Sequence, residues 1–546
     1  MKKTMKYFSI AALALVGAIM TSCSNSSDFE EIPPQTQQQP ASGDKVVTLT
    51  TTVSLAGGET RALTPEGVKN FAVGETMAIY YRSNSGSDLK AMSEPLTAGD
   101  IDATGKNATF TFTLIAPNKS IGVIYYYPAA MAKDNGYPNY EALYTEQDGT
   151  LSKLASKFDY CWDAGVEWDG ENLPSATLDN VLAILAITLK NSEGSNDITS
   201  TITGMTISDG TDTYNITRSA AAGPIYVAIN PMNGTTIDVT ATDGTKFYTK
   251  TLTNRYYEAS NGYPVSWKMN ALPEGALPGK FTVNNSGDKM RFSKGNLRAK
   301  YYQSAWLWEF APTQWSYVGD GSANVNITGN GTVGVEGFYV DLFGWVGNSS
   351  SWTGTAQYGI SNATTTNSTS TYGNVANENL KSDWGNTIGS GWRTLTKDEW
   401  NYIFRTRTSG GSVGSTSHAC YVHATINTDA TGVNGIILFP DGINFAASEF
   451  TTLGTVNATT GNWGTKCTSA QWTALATKGC VFLPTAGYRN GATVGSVGSD
   501  GNYWSSSPYS VSSSYHVSFG STYLDPQEYQ NDRSRGYSVR LVRAVE

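Results

Sequence analysis

Residues 45–55 read KVVTLTTTVSL and alternate without a break. Val47, Leu49, Thr51, Val53 and Leu55 fall on one side; Thr48, Thr50, Thr52 and Ser54 fall on the other. A period of two built from β-branched residues predicts a half-buried strand. It runs into Ala56-Gly57-Gly58-Glu59-Thr60-Arg61, whose composition predicts an exposed, flexible loop. The strand signal returns at Met77–Tyr81, Ala108–Ile115, Ile121–Tyr127 and Leu182–Leu189, with Gly, Pro, Asn and Asp clusters between. A second β block holds Gly204–Ser208, Ile225–Ile229, Thr235–Thr240 and Val265–Met269. Helical periodicity is weak throughout. These signals predict a mainly β chain with two tandem β-sandwich domains, at 45–190 and 191–272.

Upstream, Lys2, Lys3 and Lys6 precede the apolar run Ile10 to Met20, which is too short to span a bilayer comfortably. Residues 1–22 therefore read as a signal peptide. The run closes on Met20-Thr21-Ser22-Cys23, the pattern of a bacterial lipobox, so Cys23 is the expected lipid acceptor and outer-membrane anchor. Residues 23–44, with Asp28, Glu30, Glu31 and then PPQTQQQPASG, read as a disordered tether.

Charged residues make up 15% of the 546, against about a quarter in ordinary domains. Tyr (31), Trp (14) and Gly (56) are abundant, as suits strands, turns and recognition surfaces. A formal net charge of −9 argues against nucleic acid as a partner. Beyond Cys23 there are Cys161, Cys420, Cys467 and Cys480, without a CxxC; one disulfide among the last three and three buried thiols are both open. Only three His are present, and His418 and His423, flanking Cys420, read as ordinary strand and loop residues. No metal and no cofactor is expected.

Residues 273–280, within ALPEGALPGK, read as an interdomain linker. Beyond them Trp and Tyr grow dense. A short helix is predicted at Thr396–Phe404, capped by Thr396 with Glu399 at the capping-box position, and another at Thr468–Thr477. Asp398 and Glu399 read as first-turn residues that complement the helix dipole. Trp345, Trp392, Trp400 and Trp504 read as core.

Residues 45–270 resemble the fimbrillin-like subunits of type V pili. The resemblance rests on the leader, the early alternating strand and its Arg-bearing loop. It extends to FAVGETMAIYY, ATFTFTL, IYYYPA and the closing LTNRYYEASNGYPVSWKM. It implies two transthyretin-like sandwiches and cleavage after an Arg that follows the first strand. A strand from another pilus subunit then fills the opened groove. Arg61-Ala62 is the candidate bond; a permanent first strand is the alternative.

Residues 281–546 resemble a C-type-lectin-like domain of the kind related to formylglycine-generating enzymes. The matching pieces are VNNSGDKMRFSKGNL, WEFAPTQWSYVG, DLFGWVG, GWRTLTKDEWNYIF, GVNGIILFPD, VFLPTAGYR and YWSSS…RGYSVRLVR. The fold implied is α+β. Those enzymes use a pair of Cys near their end, whereas the last Cys here is Cys480, so no catalysis is expected. The EPN, QPD and WND motifs of calcium-dependent sugar binders do not occur.

The terminal layout is similar to target proteins of diversity-generating retroelements, which display a hypervariable ligand surface; a plain β-hairpin with polar turns is the alternative. Between Tyr503 and Gly536 the chain is rich in Tyr, Ser, Asn and Asp, the residues that paratopes use. The candidate ligand contacts are Tyr509, Ser512, Ser514, Tyr515, Ser518, Tyr523, Asp525, Tyr529 and Asn531. The implied function is a cell-surface adhesin at a pilus tip, with glycans or proteins of host or bacterial surfaces as ligands. A fixed surface lipoprotein is the second reading and a glycan-processing enzyme the third.

Overall fold

The computed structural model describes residues 45–55, 70–178, 180–319, 324, 327–328, 333–334, 336–346, 359–360, 383–427, 432–510, 512–529 and 531–545. The expected signal peptide, Cys23, the 23–44 tether and Arg61-Ala62 lie outside the described residues.

The chain is mainly β. Val46–Leu55 forms the expected strand and lies in the middle of a three-stranded sheet. It pairs antiparallel with Asn107–Ile115 along nine residues, Val46 opposite Ile115 through Ser54 opposite Asn107. Its last three residues pair in parallel with Ala176–Leu178. The facing sheet joins Asp88–Met92, Ala78–Arg82, Val123–Tyr127 and Cys161–Val166. Val53, Leu55, Phe110, Phe112, Leu114, Ile79 and Tyr125 fill the space between. Thr51, the one hydroxyl on the inward side, donates to Pro174 O at 2.6 Å, which removes the cost of burying it.

A second sandwich follows. Its larger sheet runs Thr213–Thr217, Gly204–Ser208, Met232–Thr242, Phe247–Tyr257, Asn270–Ala271. The smaller one places Ala183–Lys190 between Ile225–Ile229 and Gly262–Lys268. This moves the expected break at residue 190. In AILAITLK, Ala183, Ile184, Leu185, Ile187 and Leu189 are buried in the core of the second unit, where this strand is central to its sheet. Two short helices absent from the sequence reading, Glu141–Thr145 and Leu151–Lys157, send Leu143 and Leu154 into this second core. At five and seven residues they are too short to show a helical period.

The segment expected as a linker, 273–280, is packed instead. Ala276 and Leu277 are buried, and Leu277 N donates to Phe292 O at 2.8 Å. Gly279 lies so close to Gly479 that a Cβ on Gly479, itself at φ +97°, would stand 2.4 Å from the Gly279 Cα. Lys280 approaches Asp238 at 3.5 Å, and Asn444 Nδ2 donates to Thr211 O at 3.1 Å, so the C-terminal unit is tied to the second sandwich. Beside these ties, a cleft of about 480 Å³ separates the second sandwich from the helix Ser469–Thr477.

Within the C-terminal unit, Leu541–Ala544 inserts between Lys289–Phe292 and Trp392–Thr394, which brings the unit's last strand beside its second; the first, Phe281–Thr282, pairs with the other edge of Lys289–Phe292. Asp441 joins distant segments. It accepts from Thr282 N (2.7 Å), Thr282 Oγ1 (2.6 Å) and Ser409 Oγ (2.7 Å), and pairs with Arg407 Nη1 at 2.7 Å. The Arg407 side chain is fully buried and also donates to Phe439 O at 2.7 Å. Helix Lys397–Asn401 carries the expected Thr396–Glu399 capping box and continues as a π-helical turn, Tyr402–Thr406. Ser469–Thr477 is capped by Thr468 and Gln471. Trp345, Trp400 and Trp504 are fully buried and Trp392 nearly so. Cys161, Cys420, Cys467 and Cys480 are all free and buried, which decides the disulfide question among the described residues.

Candidate ligand platform

Three strands, Gly501–Pro508, Ser514–Phe519 and Leu524–Glu528, form an antiparallel sheet between two cores. Alternation sends Tyr503, Val517 and Phe519 toward the core that holds Trp400. Trp504 and His516 point the other way, against Tyr537, with His516 4.7 Å from the Tyr537 ring. Burial holds the His516 imidazole neutral, with its pKa lowered to about 4. Gly501 opposes Phe519, whose ring would stand 2.1 Å from a Cβ there, so the register depends on that glycine.

The first hairpin closes through serines. Tyr509 N and Ser510 N both donate to Ser513 O (3.1 and 2.9 Å), and Ser510 Oγ accepts from Ser513 N at 3.0 Å. This fixes Tyr509 at the end of one strand, Tyr515 at the start of the next, and Tyr529 just past the third. The three rings form a cluster: centroids are 5.4 Å apart for Tyr509 and Tyr515, 4.5 Å for Tyr509 and Tyr529, and 6.0 Å for Tyr515 and Tyr529. Tyr509 is 51% exposed and Tyr529 40%, so a rigid aromatic surface faces solvent.

Part of the rim comes from more than a hundred residues away in sequence. Lys397, first residue of its helix, holds Nζ 4.7 Å from the Tyr515 ring centre, a cation–π contact. Its backbone N donates to Ser507 Oγ at 3.1 Å, which anchors the helix start to the sheet. Gln527 Nε2 donates to Asp398 Oδ1 at 3.2 Å. Rings, an ammonium, an amide and a carboxylate thus share one patch, able to stack on a flat apolar face and to hydrogen-bond its edges.

The nine residues singled out from sequence do not all lie together. Tyr509, Tyr515 and Tyr529 form the platform. Ser512 sits beside it in the turn, its carbonyl accepting from Arg533 N at 2.8 Å. Asn531 points Nδ2 toward His516 Nε2 at 3.4 Å. Ser514 is a correction: it is fully buried, on the same side of its strand as His516. Ser518 and Tyr523 belong to the opposite end of the sheet, where Ser518 Oγ donates to Asn502 Oδ1 at 3.1 Å. Asp525 accepts from Gln527 N at 2.9 Å and approaches Arg405 at 3.6 Å. Sequence reasoning missed Lys397 and Gln527 as rim groups; the capping box marks where the helix starts but not what it faces.

The imidazole Nδ1 of His418 bonds the Thr408 carbonyl oxygen at 2.7 Å, and His423 is buried with its pKa lowered to about 4 by desolvation. Among the described residues no three His, Cys, Asp or Glu converge as a metal site.

Residues 468–542, which include this sheet, match the model of a domain of unknown function, DUF8237. No curated protein matches the chain. Among solved structures, a fimbrial protein from Bacteroides ovatus is similar at 10% identity, over 91% of this chain and 99% of that one, with a TM-score of 0.22. A fimbrial assembly protein from Parabacteroides distasonis is similar at 12% identity over 46% of this chain and 97% of that one, with a TM-score of 0.23. The C-terminally truncated tip fimbrial protein Mfa3 from Porphyromonas gingivalis is similar at 9% identity, over 42% and 96%, with a TM-score of 0.18.

Proposed function

We propose that this chain is a cell-surface adhesin that enters a fimbrillin-type pilus through its N-terminal sandwiches. It binds ligand through residues 281–546, which we read as a C-type-lectin-like domain. The observation that carries the reading is the first strand. Val46–Leu55 is central to its sheet, yet its connection to the rest of the fold is the segment between Leu55 and Asn70, where Arg61-Ala62 lies. Cutting there and withdrawing the strand bares the Asn107–Ile115 edge and the core around Phe110 and Phe112. A strand from another subunit would satisfy the unpaired backbone and cover the apolar slot in one step.

The ligand is a glycan or protein on a host or bacterial surface, met by Tyr509, Tyr515 and Tyr529. We read the chain as a binding protein without enzymatic activity or cofactor. Its free thiols support this: burial pushes Cys467 up to about 12 and raises Cys420 and Cys480 as well, so they are poor nucleophiles. Lipidation of Cys23 would hold the subunit at the outer membrane until assembly.

Sequencing the N-terminus of protein from purified pili, with immunogold labelling of cells, tests the assembly. The expected result is a start at Ala62 and label at fibre ends. A start at Cys23 with label only along the cell body defeats it and favours a fixed surface lipoprotein, in which the first strand is permanent. On glycan and protein arrays, Tyr515→Ala and Tyr529→Ala should each weaken binding by tenfold or more, and Tyr523→Ala should not.

A further inference from the structure

A second patch lies on a different sheet of the C-terminal unit. Leu297–Tyr302 pairs with Ala305–Phe310 on one side and with Tyr339–Val340 on the other. The register puts Arg298 opposite Glu309, Lys300 opposite Leu307, and Tyr302 opposite Ala305, all on the outward face. Tyr339 lies beside Lys300. Arg298 stacks on the Tyr339 ring at 3.9 Å, and Lys300 Nζ stands 5.4 Å from Tyr339 and 5.7 Å from Tyr302. Tyr302 is 44% exposed and Phe338 43%. Next to this face opens a cavity of about 290 Å³, walled by Arg298, Tyr317, Phe338 and Tyr339, with Ser316 and Asp341 among its polar groups.

The charges differ in their commitments. Arg298 is neutralised by Glu309, with Nε 2.8 Å from the carboxylate. Asp341 is buried and occupied: it accepts from Val318 N at 2.7 Å and Asn324 Nδ2 at 2.8 Å, and burial raises its pKa to about 6. Lys300 has no carboxylate partner within ion-pair distance among the described residues; its contacts are the two tyrosine rings. In a chain of net charge −9, an ammonium without a carboxylate partner, held 5.4 Å from the Tyr339 ring that also walls the cavity, is a site awaiting an anion.

We propose that this face is a second binding site, for an anionic saccharide. One pyranose fills the cavity, its C–H face against Phe338 and Tyr339. Ser316 and the Arg298 guanidinium meet its hydroxyls, and its carboxylate or sulfate pairs with Lys300. The volume is of the order of the smallest ligand pockets, which suits a single ring rather than a folded peptide. An acidic peptide would bring charge without a ring to fill the walled space. The platform of Tyr509, Tyr515 and Tyr529 plays no part, and pilus assembly is not required.

Calorimetric titration of the full chain tests it with four probes. These are a hyaluronan tetrasaccharide (carboxylate), its carboxyl-reduced neutral counterpart, a sulfated chondroitin tetrasaccharide, and a poly-glutamate peptide. Binding of either charged sugar, weakened tenfold or more by Lys300→Gln and by Phe338→Ser and unaffected by Tyr529→Ala, is the expected result. The tighter of the two charged sugars identifies the anion. Lys300 is half-buried and its contacts are the faces of two tyrosine rings, so Lys300→Gln should leave the melting temperature nearly unchanged, and a loss of binding then reports the site and not the fold. Equal binding of the neutral sugar, poly-glutamate binding as tightly as the sugars, loss on Tyr529→Ala, or no binding of either charged sugar at millimolar concentration would each overturn the proposal.

Discussion

Val46 and Val53 are the same residue in the same strand with opposite surroundings. Val53 is fully buried, whereas Val46 is 45% exposed. Val53→Ala removes two methyl groups, at about 0.8 kcal/mol each, and leaves a cavity whose lining includes Ala108, its cross-strand neighbour. Together these cost about 2.5 kcal/mol. For a unit of this size each kcal/mol lowers Tm by about 2–4 °C, so Val53→Ala should lose about 5–10 °C. Val46→Ala should lose about 2 °C or less, as a surface substitution near a strand end does. Differential scanning calorimetry of the two variants measures both. In protein cleaved within residues 56–69, the same 2.5 kcal/mol becomes roughly 60-fold weaker retention of the strand, since 1.4 kcal/mol is tenfold. Equal losses for the two valines would refute the assigned face of the strand, and with it the slot that donor-strand assembly needs.

Asp441→Ala should destabilise the C-terminal unit by about 3–5 kcal/mol, read in chemical denaturation, because it strands the buried Arg407 charge. Gly479→Ala should cost more than 1 kcal/mol in the same assay: its positive φ strains any Cβ, and the Gly279 backbone blocks the space. His423 and His516 are held neutral, each lowered from 6.5 to about 4, so the unfolded chain binds protons first on acidification. The stability they contribute is present above pH 6.5 and lost as pH falls toward 4. Asp341, raised to about 6, opposes them between its two pKa values, stabilising as pH falls. The difference in Tm between the parent chain and His516→Gln should therefore change across pH 4–6.5; a pH-independent difference contradicts the assignment.

The first strand was legible because its environment is written into a period of two, and the two C-terminal helices because capping boxes act within four residues. Ala183–Lys190 shows the limit of such reading. Its eight residues announce a buried strand, but nothing local says which sandwich buries it; that is set by Ile225–Ile229 and Gly262–Lys268, each at least 34 residues beyond it. The helices at 141–157 were hidden by brevity. Composition singled out the tyrosines of the terminal hairpins as a group, but could not say which of them lie together. Tyr509, Tyr515 and Tyr529 meet because of a serine-closed turn, while Tyr523 is carried to the opposite end of the same sheet. Ser514 shows the same limit, since it is next to Tyr515 in sequence yet fully buried. Lys397 reaches the platform through tertiary packing alone.

The way Val46–Leu55 is held also decides how it answers tension. Its neighbour Asn107–Ile115 runs alongside it for nine residues in uninterrupted register, and Ala176–Leu178 grips its far end from the other edge. A pull along the strand axis strains every rung of that ladder at once, in shear. A pull across the axis would open the rungs one by one from Val46, like a zip. The strand seated in this slot is therefore strong lengthwise and weak sideways; in the assembly proposed above, such a joint would hold under drag along a fibre and could still be peeled out from one end.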